Sequence, residues 1–338
     1  MIGKKLCLHH ALSFISRLFH NKKNIILNAP FKHHSVHLEP IIPHLIESKE
    51  YNVILIGTFN EYKGIKSYDS LTDLPIHKHY DIYISTEFVF PPWWLITKKV
   101  FFGHGIGPKL GYQGESALDF FDYSFAPCQP IFDLHSQRDV NVKKIGLPLL
   151  DIVPNVDSKE VYQEYNLSTD KPYVLYAPSW NADQSLISDI KSIIKKLETF
   201  KNHHVIISPH PNLLKQNMCD GNDYFGSISL PLNKSSNKFS TFELCVGAEV
   251  VISDISSILF EAMAINKRVY FDGNERVYQA SGAIEILNAM KKVIPTLNWG
   301  ADMELEFTSL SINNAFINEY LFNIGNSSKA FLQAIRTI

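Results

Sequence analysis

The sequence predicts an α/β protein built from two doubly wound parallel sheets. Short apolar runs alternate with helix-like segments along most of the chain, which is the pattern that βαβ units produce. These runs form two series, separated by a polar stretch around Asp151–Ser168 that contains Pro154. A length of 338 residues suits two domains, each with its own core. We therefore expect an N-terminal domain over residues 1–152 and a C-terminal domain over residues 153–338, with the last helix free to pack back on the first domain.

The predicted strands are short and rich in β-branched and aromatic residues. In the first domain they are Asn24–Leu27, Val53–Gly57, Ile82–Ser85, Val100–Phe102 and Tyr123–Ala126. In the second domain they are Tyr173–Ala177, Val205–Ser208, Glu249–Ser253 and Arg268–Phe271. An amphipathic helix follows the first of these, capped by Asp183 or Ser185, with the apolar face Leu186, Ile190, Ile193, Leu197 and Phe200. Two Rossmann-type domains facing a central cleft constitute a GT-B-like architecture, in which ligands bind beyond the carboxyl ends of the strands.

Composition and charge argue against several classes of protein. The hydrophobic fraction of 45% and the charged fraction of 20% are typical of globular proteins. A net charge of -2 does not indicate a nucleic-acid partner. Four cysteines without a CxxC pair argue against zinc, iron–sulfur clusters and a disulfide framework, and they favour the reducing cytoplasm. The chain contains no DxD, Walker, GxSxG or HExxH motif, so we expect no cofactor and no bound metal.

The N-terminal segment is basic and amphipathic. We interpret it as mature sequence, because no small-residue cleavage site follows its apolar positions. A helix packed on its own domain is the favoured interpretation, and a helix lying at the inner face of the cell membrane is the alternative. No stretch is apolar for long enough to span a membrane. The apolar positions at helical spacing are Leu8, Leu12, Ile15, Leu18 and Phe19.

A histidine between two glycines follows the predicted strand at Val100. Gly103 and Gly105 leave the backbone around His104 accessible, so that a substrate can approach the imidazole closely. Because imidazole titrates near neutrality, His104 suits a general base. Lys109 adds a positive charge for a phosphate. The alternative is a tight turn with a bystander histidine, and the glycine pattern does not fit a dinucleotide-binding loop.

Two further polar clusters follow strands of the second domain. Ser179, Trp180 and Asn181 precede a helix, where hydroxyl, amide and backbone N–H groups can meet an anion, although helix capping explains them nearly as well. His210 lies between Pro209 and Pro211, which fix the backbone and present the ring in one orientation. This arrangement suits a group that contacts a phosphate, and a rigid surface turn is the alternative.

A fourth cluster opens a helix in the second domain. Asp254, Ser256 and Ser257 follow a strand, and the backbone N–H groups there can hold a pyrophosphate. Glu261 lies one helical turn beyond Ser257, where its carboxylate can accept hydrogen bonds from a ribose diol. Ordinary capping by Ser256 and Asp254 is the alternative. The spacing of His33 and His37 fits a metal on a helix, but nearby prolines and the lack of a third ligand argue against it.

In combination these clusters resemble the CDP-glycerol glycerophosphotransferase family, which includes teichoic-acid primases and polymerases and capsule-synthesis relatives. The family motifs occur here in the same order, over roughly Val100 to Phe271. They are His104-Gly105, Gly146-Leu147-Pro148, Tyr176-Ala177-Pro178-Ser179-Trp180, His210-Pro211 and Asp254-Ile255-Ser256-Ser257.

The resemblance implies a transferase that moves a polyol phosphate from a CDP-linked donor to a hydroxyl of a glycan or lipid-linked acceptor. It implies that His104 is the base, that His210, Ser256 and Ser257 contact the donor phosphates, and that Glu261 is the family's acidic residue. Ile106-Gly107-Pro108-Lys109 replaces the family's usual Thr-Pro-Leu-Lys, so CDP-ribitol and nucleotide sugars stay open as donors. A glycosyltransferase, a nucleotide-sugar epimerase and a non-catalytic binding module are the alternative functions.

Overall fold

The chain divides into two compact units in a computed structural model. Unit 1 comprises Met1–Gly105, Gln113–Ile152 and Tyr320–Ile338, and unit 2 comprises Ile106–Tyr112 and Val153–Glu319. The predicted N-terminal helix and the predicted caps Asp183 and Ser185 lie outside the described residues. The structure describes residues 21–106, 116–180, 187–214, 229–234, 236–274, 276, 288, 291–299, 307 and 314–338.

Unit 1 contains a parallel sheet with the order β3-β2-β1-β4-β5-β6-β7 in the described part of the chain. Its strands are β1 (Lys23–Ala29), β2 (Tyr51–Gly57), β3 (Lys66–Tyr68), β4 (Ile82–Ser85), β5 (Lys98–Phe101), β6 (Tyr123–Ala126) and β7 (Asn141–Lys144). Its α-helices are α1 (Lys32–Leu38), α2 (Ile41–Ser48), α3 (Gln129–His135) and, near the C-terminus, α9 (Ser327–Arg336). Short 3₁₀ turns cover Leu71–Asp73, Ser116–Phe120 and Pro148–Leu150.

The core of unit 1 places helix α9 against strands from the other end of the chain. Phe331 and Ile335 of α9 are buried in one cluster with Leu27 of β1 and Leu45 of α2. The start of α9 is held by Asp151, whose carboxylate accepts hydrogen bonds from the backbone N–H groups of Ser327 and Ser328, at 2.8 and 2.6 Å. These bonds satisfy amide donors that a helix cannot pair internally.

Unit 2 contains a second parallel sheet, with the order β11-β10-β8-β9 in the described residues. Its strands are β8 (Tyr173–Tyr176), β9 (His204–Ile207), β10 (Val250–Ser253) and β11 (Arg268–Phe271). Its helices are α4 (Ser158–Glu164), α5 (Ile187–Leu197), α6 (Thr241–Gly247) and α7 (Ile258–Ala264), and α8 (Asn314–Tyr320) precedes α9. None of the described helices combines the length and the apolar character that crossing a bilayer requires.

The predicted α/β class with two parallel sheets is confirmed, and each predicted strand is present to within two residues at either end. The predicted apolar face of α5 is buried at Ile190, Ile193 and Leu197. Strands β3 and β7 were missing from the prediction. Both lie at the edges of the sheet and consist largely of polar, exposed residues, so they lack the apolar signal of an interior strand.

Candidate functional site

The polar residues that surround His104 lie in the segments that follow three neighbouring strands of unit 1. Strand β4 pairs with β1 on one side and with β5 on the other, with Asn28 opposite Ser85 and Ser85 opposite Phe101. Parallel strands end at the same edge of a sheet, so the segments that follow these three strands meet there. They supply helix α1, the pair Thr86-Glu87 and the loop around His104.

The His104 loop holds its imidazole in one orientation. Gly103 and Gly105 have φ values of 70° and 79°, the left-handed region that glycine adopts at little cost. Nδ1 of His104 lies 3.1 Å from the carbonyl oxygen of Thr86 and 3.3 Å from Oε1 of Glu87. A carbonyl oxygen only accepts hydrogen bonds, so Nδ1 carries the proton of the neutral ring. Nε2 is then the basic nitrogen, which is the one that a general base requires.

Helix α1 adds three histidines to this cluster. The ring of His34 stacks on that of His104, with centroids 3.9 Å apart and an interplanar angle of 16°. Nε2 of His34 also lies 3.5 Å from Oε1 of Glu87. Burial, helped by the nearby His104 and His33, lowers the pKa of His37 to about 3, so His37 is neutral. The sequence argues against a metal pair of His33 and His37. The potential ligand atoms of His34, Glu87 and His104 do come together, within 4.8 Å of one another.

Unit 2 has an equivalent edge, where the segments after β8, β9 and β10 meet. Asp254, which follows β10, is buried, and its carboxylate accepts hydrogen bonds from the backbone N–H of Ser179 at 3.0 Å and from Oγ of Ser179 at 2.8 Å. The N–H of Ile255 donates to it at 2.6 Å. Asp254 thus ties the loop after β8 to the loop after β10, instead of capping the following helix.

His210, which follows β9, is the opposite neutral tautomer to His104. The backbone N–H of Asn212 donates to Nδ1 of His210 across 3.2 Å, so Nδ1 holds the lone pair and Nε2 carries the proton of the neutral ring. The backbone N–H of His210 donates to the carbonyl of Pro178 at 3.1 Å, which joins the loops after β8 and β9. The ring of Trp180 lies roughly parallel to that of His210, with centroids 6.5 Å apart.

Helix α7 begins beside these loops. Ser257 is its N-cap residue and makes no side-chain capping bond, while Oγ of Ser256 lies 3.5 Å from the N–H of Ile258. The side chain of Ser257 instead hydrogen-bonds to Glu261, which is only 5% exposed. Burial raises the pKa of Glu261 to about 7, against a smaller lowering effect of the Ser257 hydrogen bond.

The structure thus describes most of the predicted site residues, in two groups. His104 and Gly105 lie in unit 1, whereas Ser179, Trp180, His210, Pro211, Asp254, Ser256, Ser257 and Glu261 lie in unit 2. Lys109 and Asn181 lie outside the described residues. Thr86, Glu87 and His34 were not among the residues predicted from the sequence. The available signal was that Thr86 and Glu87 directly follow the correctly predicted strand Ile82–Ser85, at the edge where ligands bind.

The chain is similar to known proteins in part of its sequence and in its fold. The teichoic acid glycerol-phosphate primase of Bacillus subtilis (strain 168) is 27% identical over 140 residues, which are 40% of this chain and 34% of that protein. The aligned part is thus about a third of the length of that relative. The structure of the wall teichoic acid polymerase TagF matches with a TM-score of 0.67 and 15% identity, covering 98% of this chain and 96% of that chain.

Two further solved structures have a similar fold. The S. aureus MnaA–UDP structure matches with a TM-score of 0.59 and 13% identity over 93% of this chain and 96% of that one. The UDP-GlcNAc 2-epimerase of Methanocaldococcus jannaschii matches with a TM-score of 0.58 and 12% identity over 94% of this chain and 100% of that one. At these identities the likeness shows the fold, which is GT-B-like. Residues 119–295, more than half of the chain, match the CDP-Glycerol:Poly(glycerophosphate) glycerophosphotransferase family, and the protein belongs to that family.

Proposed function

We propose that the protein transfers a polyol phosphate, such as glycerol phosphate, from a CDP-linked donor to a hydroxyl of a cell-surface glycan or lipid-linked acceptor, and releases CMP. Family membership supports the reaction class. A histidine-to-asparagine variant of the fold relative TagF has been studied with CDPG. The observation that carries the proposal is that two histidines are opposite neutral tautomers. His104 offers a basic Nε2, and His210 offers an Nε2–H donor.

The chemistry is an in-line displacement at phosphorus. The acceptor hydroxyl attacks the β-phosphorus of the donor, and a new oxygen–phosphorus bond forms. The bond between that phosphorus and the bridging oxygen breaks, and its electron pair leaves with CMP. Nε2 of His104 takes the proton of the attacking hydroxyl, as a general base within hydrogen-bond reach does.

Donor binding is assigned to unit 2. Nε2–H of His210 donates to a phosphate oxygen, and the hydroxyl of Ser256 and the backbone N–H of Ser257 supply further donors at the start of α7. Ser179, Trp180, Asn181, Pro211 and Asp254 shape the nucleotide site, and Glu261 is the candidate contact for the ribose diol. In this proposal Gly105 and Lys109 belong to the acceptor and phosphate side.

The proposal includes no resident metal ion, because protein hydrogen-bond donors are assigned to stabilise the phosphate charge and the sequence has no DxD motif. Turnover in EDTA measures this directly. Activity that survives EDTA agrees with the proposal, and activity that EDTA abolishes and a divalent ion restores contradicts this part of it.

A donor panel tests the function. The protein is incubated with CDP-glycerol, CDP-ribitol and several nucleotide sugars, together with a lipid or glycan acceptor, and the released nucleotide is identified by chromatography. CMP release that depends on acceptor is the expected result. Release of UDP but never CMP would indicate a glycosyltransferase. Binding of a glycan without release of any nucleotide would indicate a non-catalytic module.

A further inference from the structure

We propose that Glu87 is a positioning residue for His104: its carboxylate lies beside the Nδ1–H that the Thr86 carbonyl accepts, and it balances the positive charge that forms when Nε2 takes the acceptor proton. The inference deepens the proposed function and rests on it for the identity of the reaction. Nδ1 of His104 lies 3.3 Å from Oε1 of Glu87, and the two side chains are 27% and 20% exposed. A partly buried pair is screened less by solvent than a surface pair.

The backbone of Glu87 is fixed independently of its carboxylate. The hydroxyl of Ser85 donates to the carbonyl of Glu87 at 2.7 Å and accepts from its N–H at 3.3 Å. The N–H of Val89 donates to the same carbonyl at 2.7 Å. The side chain of Glu87 can therefore be changed without removing the contacts that shape the turn after β4.

The histidines that surround His104 offer no negative charge to balance an imidazolium. His33, His34 and His37 on α1 face His104, and His34 is stacked on it with only 2% of its surface exposed. An imidazolium at His104 would otherwise form beside three imidazoles. Among the described residues of this cluster, Glu87 supplies the carboxylate, and Oε1 lies close to both stacked rings.

The same three side chains have the chemistry of a cation site, since their ligand atoms lie within 4.8 Å of one another. Two observations favour the hydrogen-bonded arrangement. Nδ1 of His104, the ring nitrogen that lies 3.3 Å from Oε1 of Glu87, also lies against the Thr86 carbonyl and so carries a proton, and a protonated nitrogen cannot bind a metal. The His34 and His104 rings are stacked at 16°, and stacked rings do not direct their in-plane lone pairs at one ion.

The test compares Glu87→Gln and Glu87→Asp with the wild type, and it uses Asp81→Asn as the matched control. Asp81 pairs with His79 at 3.3 Å elsewhere in unit 1, with both side chains 16% exposed. We expect Glu87→Gln to lower kcat with CDP-glycerol by about 10- to 100-fold, within the range of a positioned base. The Kd for CDP-glycerol should stay within about twofold, Glu87→Asp should recover part of the rate, and Asp81→Asn should keep all of it.

The pH profile separates this role from a merely structural one. Loss of the carboxylate makes protonation of His104 harder, so the ascending limb of kcat/KM should move to lower pH by about one unit in Glu87→Gln. A structural defect would lower the rate without moving the limb. An unmoved limb, or a rate equal to that of the wild type, would overturn the proposal.

NMR of ¹⁵N-labelled histidine gives a readout that does not need turnover. The pH midpoint of the His104 ring signals should fall in Glu87→Gln and stay unchanged in Asp81→Asn. If the wild type transfers nothing from CDP-glycerol, the proposed function fails while this measurement still decides the role of Glu87. A midpoint that does not move, or a stoichiometric divalent ion in the purified protein that Glu87→Gln loses, would contradict it.

Discussion

The backbone N–H of Asn212 donates a hydrogen bond to Nδ1 of His210 across 3.2 Å. In His104 the same ring atom faces the carbonyl of Thr86 at 3.1 Å. One histidine therefore presents a proton at Nε2 and the other presents a lone pair. A backbone group sets the tautomer of each histidine. The two side chains therefore cannot exchange the roles of base and hydrogen-bond donor unless the loops change.

His210→Ala should weaken donor binding as well as turnover. A hydrogen bond to a charged group contributes about 1.5–3 kcal/mol, so the Kd for CDP-glycerol should rise by at least about tenfold. Isothermal titration calorimetry measures this. His204→Ala is the control, because His204 lies at the opposite end of β9, where it contacts Ser168. An unchanged Kd in His210→Ala would remove His210 from the donor site.

Much of the fold could be predicted because buried parallel strands are continuous apolar runs. The strands Ile82–Ser85, Tyr123–Ala126 and Arg268–Phe271 were predicted with their observed ends. The edge strands β3 and β7 could not be found this way, because their residues are mostly polar.

Two of the candidate site residues, His104 and His210, lie in motifs that are visible in the sequence. Glu87 and His34 do not belong to any motif that is recognisable in the sequence. They reach His104 only because β1, β4 and β5 are neighbours in the sheet, and strand order is not visible in a local pattern. Asp254 was expected at a helix start, and its bonds to Ser179 depend on the same kind of long-range pairing.

Gly146→Ala should destabilise unit 1. Gly146 has a φ of 93°, and a Cβ there would collide with the carbonyl oxygen of Phe322 and the hydroxyl of Ser327. Backbone strain and overpacking together predict a loss of about 2–4 kcal/mol in the free energy of unfolding, measured by urea denaturation. Gly325→Ala is the control, since Gly325 has a φ of 73° but nothing within 4 Å of its Cβ position. Equal losses in both variants would contradict the collision at Gly146.

Stability should fall with rising pH because of Glu261. Its pKa is raised from 4.5 to about 7 by burial, so between these values the folded protein binds a proton that the unfolded chain has released. The stabilisation is complete below about pH 4.5 and is lost as the pH rises through 7. Glu261 should contribute a loss of about 1–3 kcal/mol to urea denaturation between pH 5 and pH 8, and Glu261→Gln should remove that share. Asp272, whose pKa burial also raises to about 7, should keep its own share in the variant. Glu47→Gln, at an exposed position of α2, should keep the pH dependence. A Glu261→Gln profile that matches the wild type would contradict the raised pKa.

The most direct test is CMP formation by the wild type and by His104→Ala with CDP-glycerol and an acceptor, with donor affinity measured on the same samples. We expect the wild type to release one CMP for each glycerol phosphate transferred. His104→Ala should lose at least about 10²-fold in rate, the contribution of a general base, while its Kd for CDP-glycerol stays within about twofold. Unchanged turnover in His104→Ala, or a wild type that releases UDP from nucleotide sugars and never CMP, would contradict the proposed reaction.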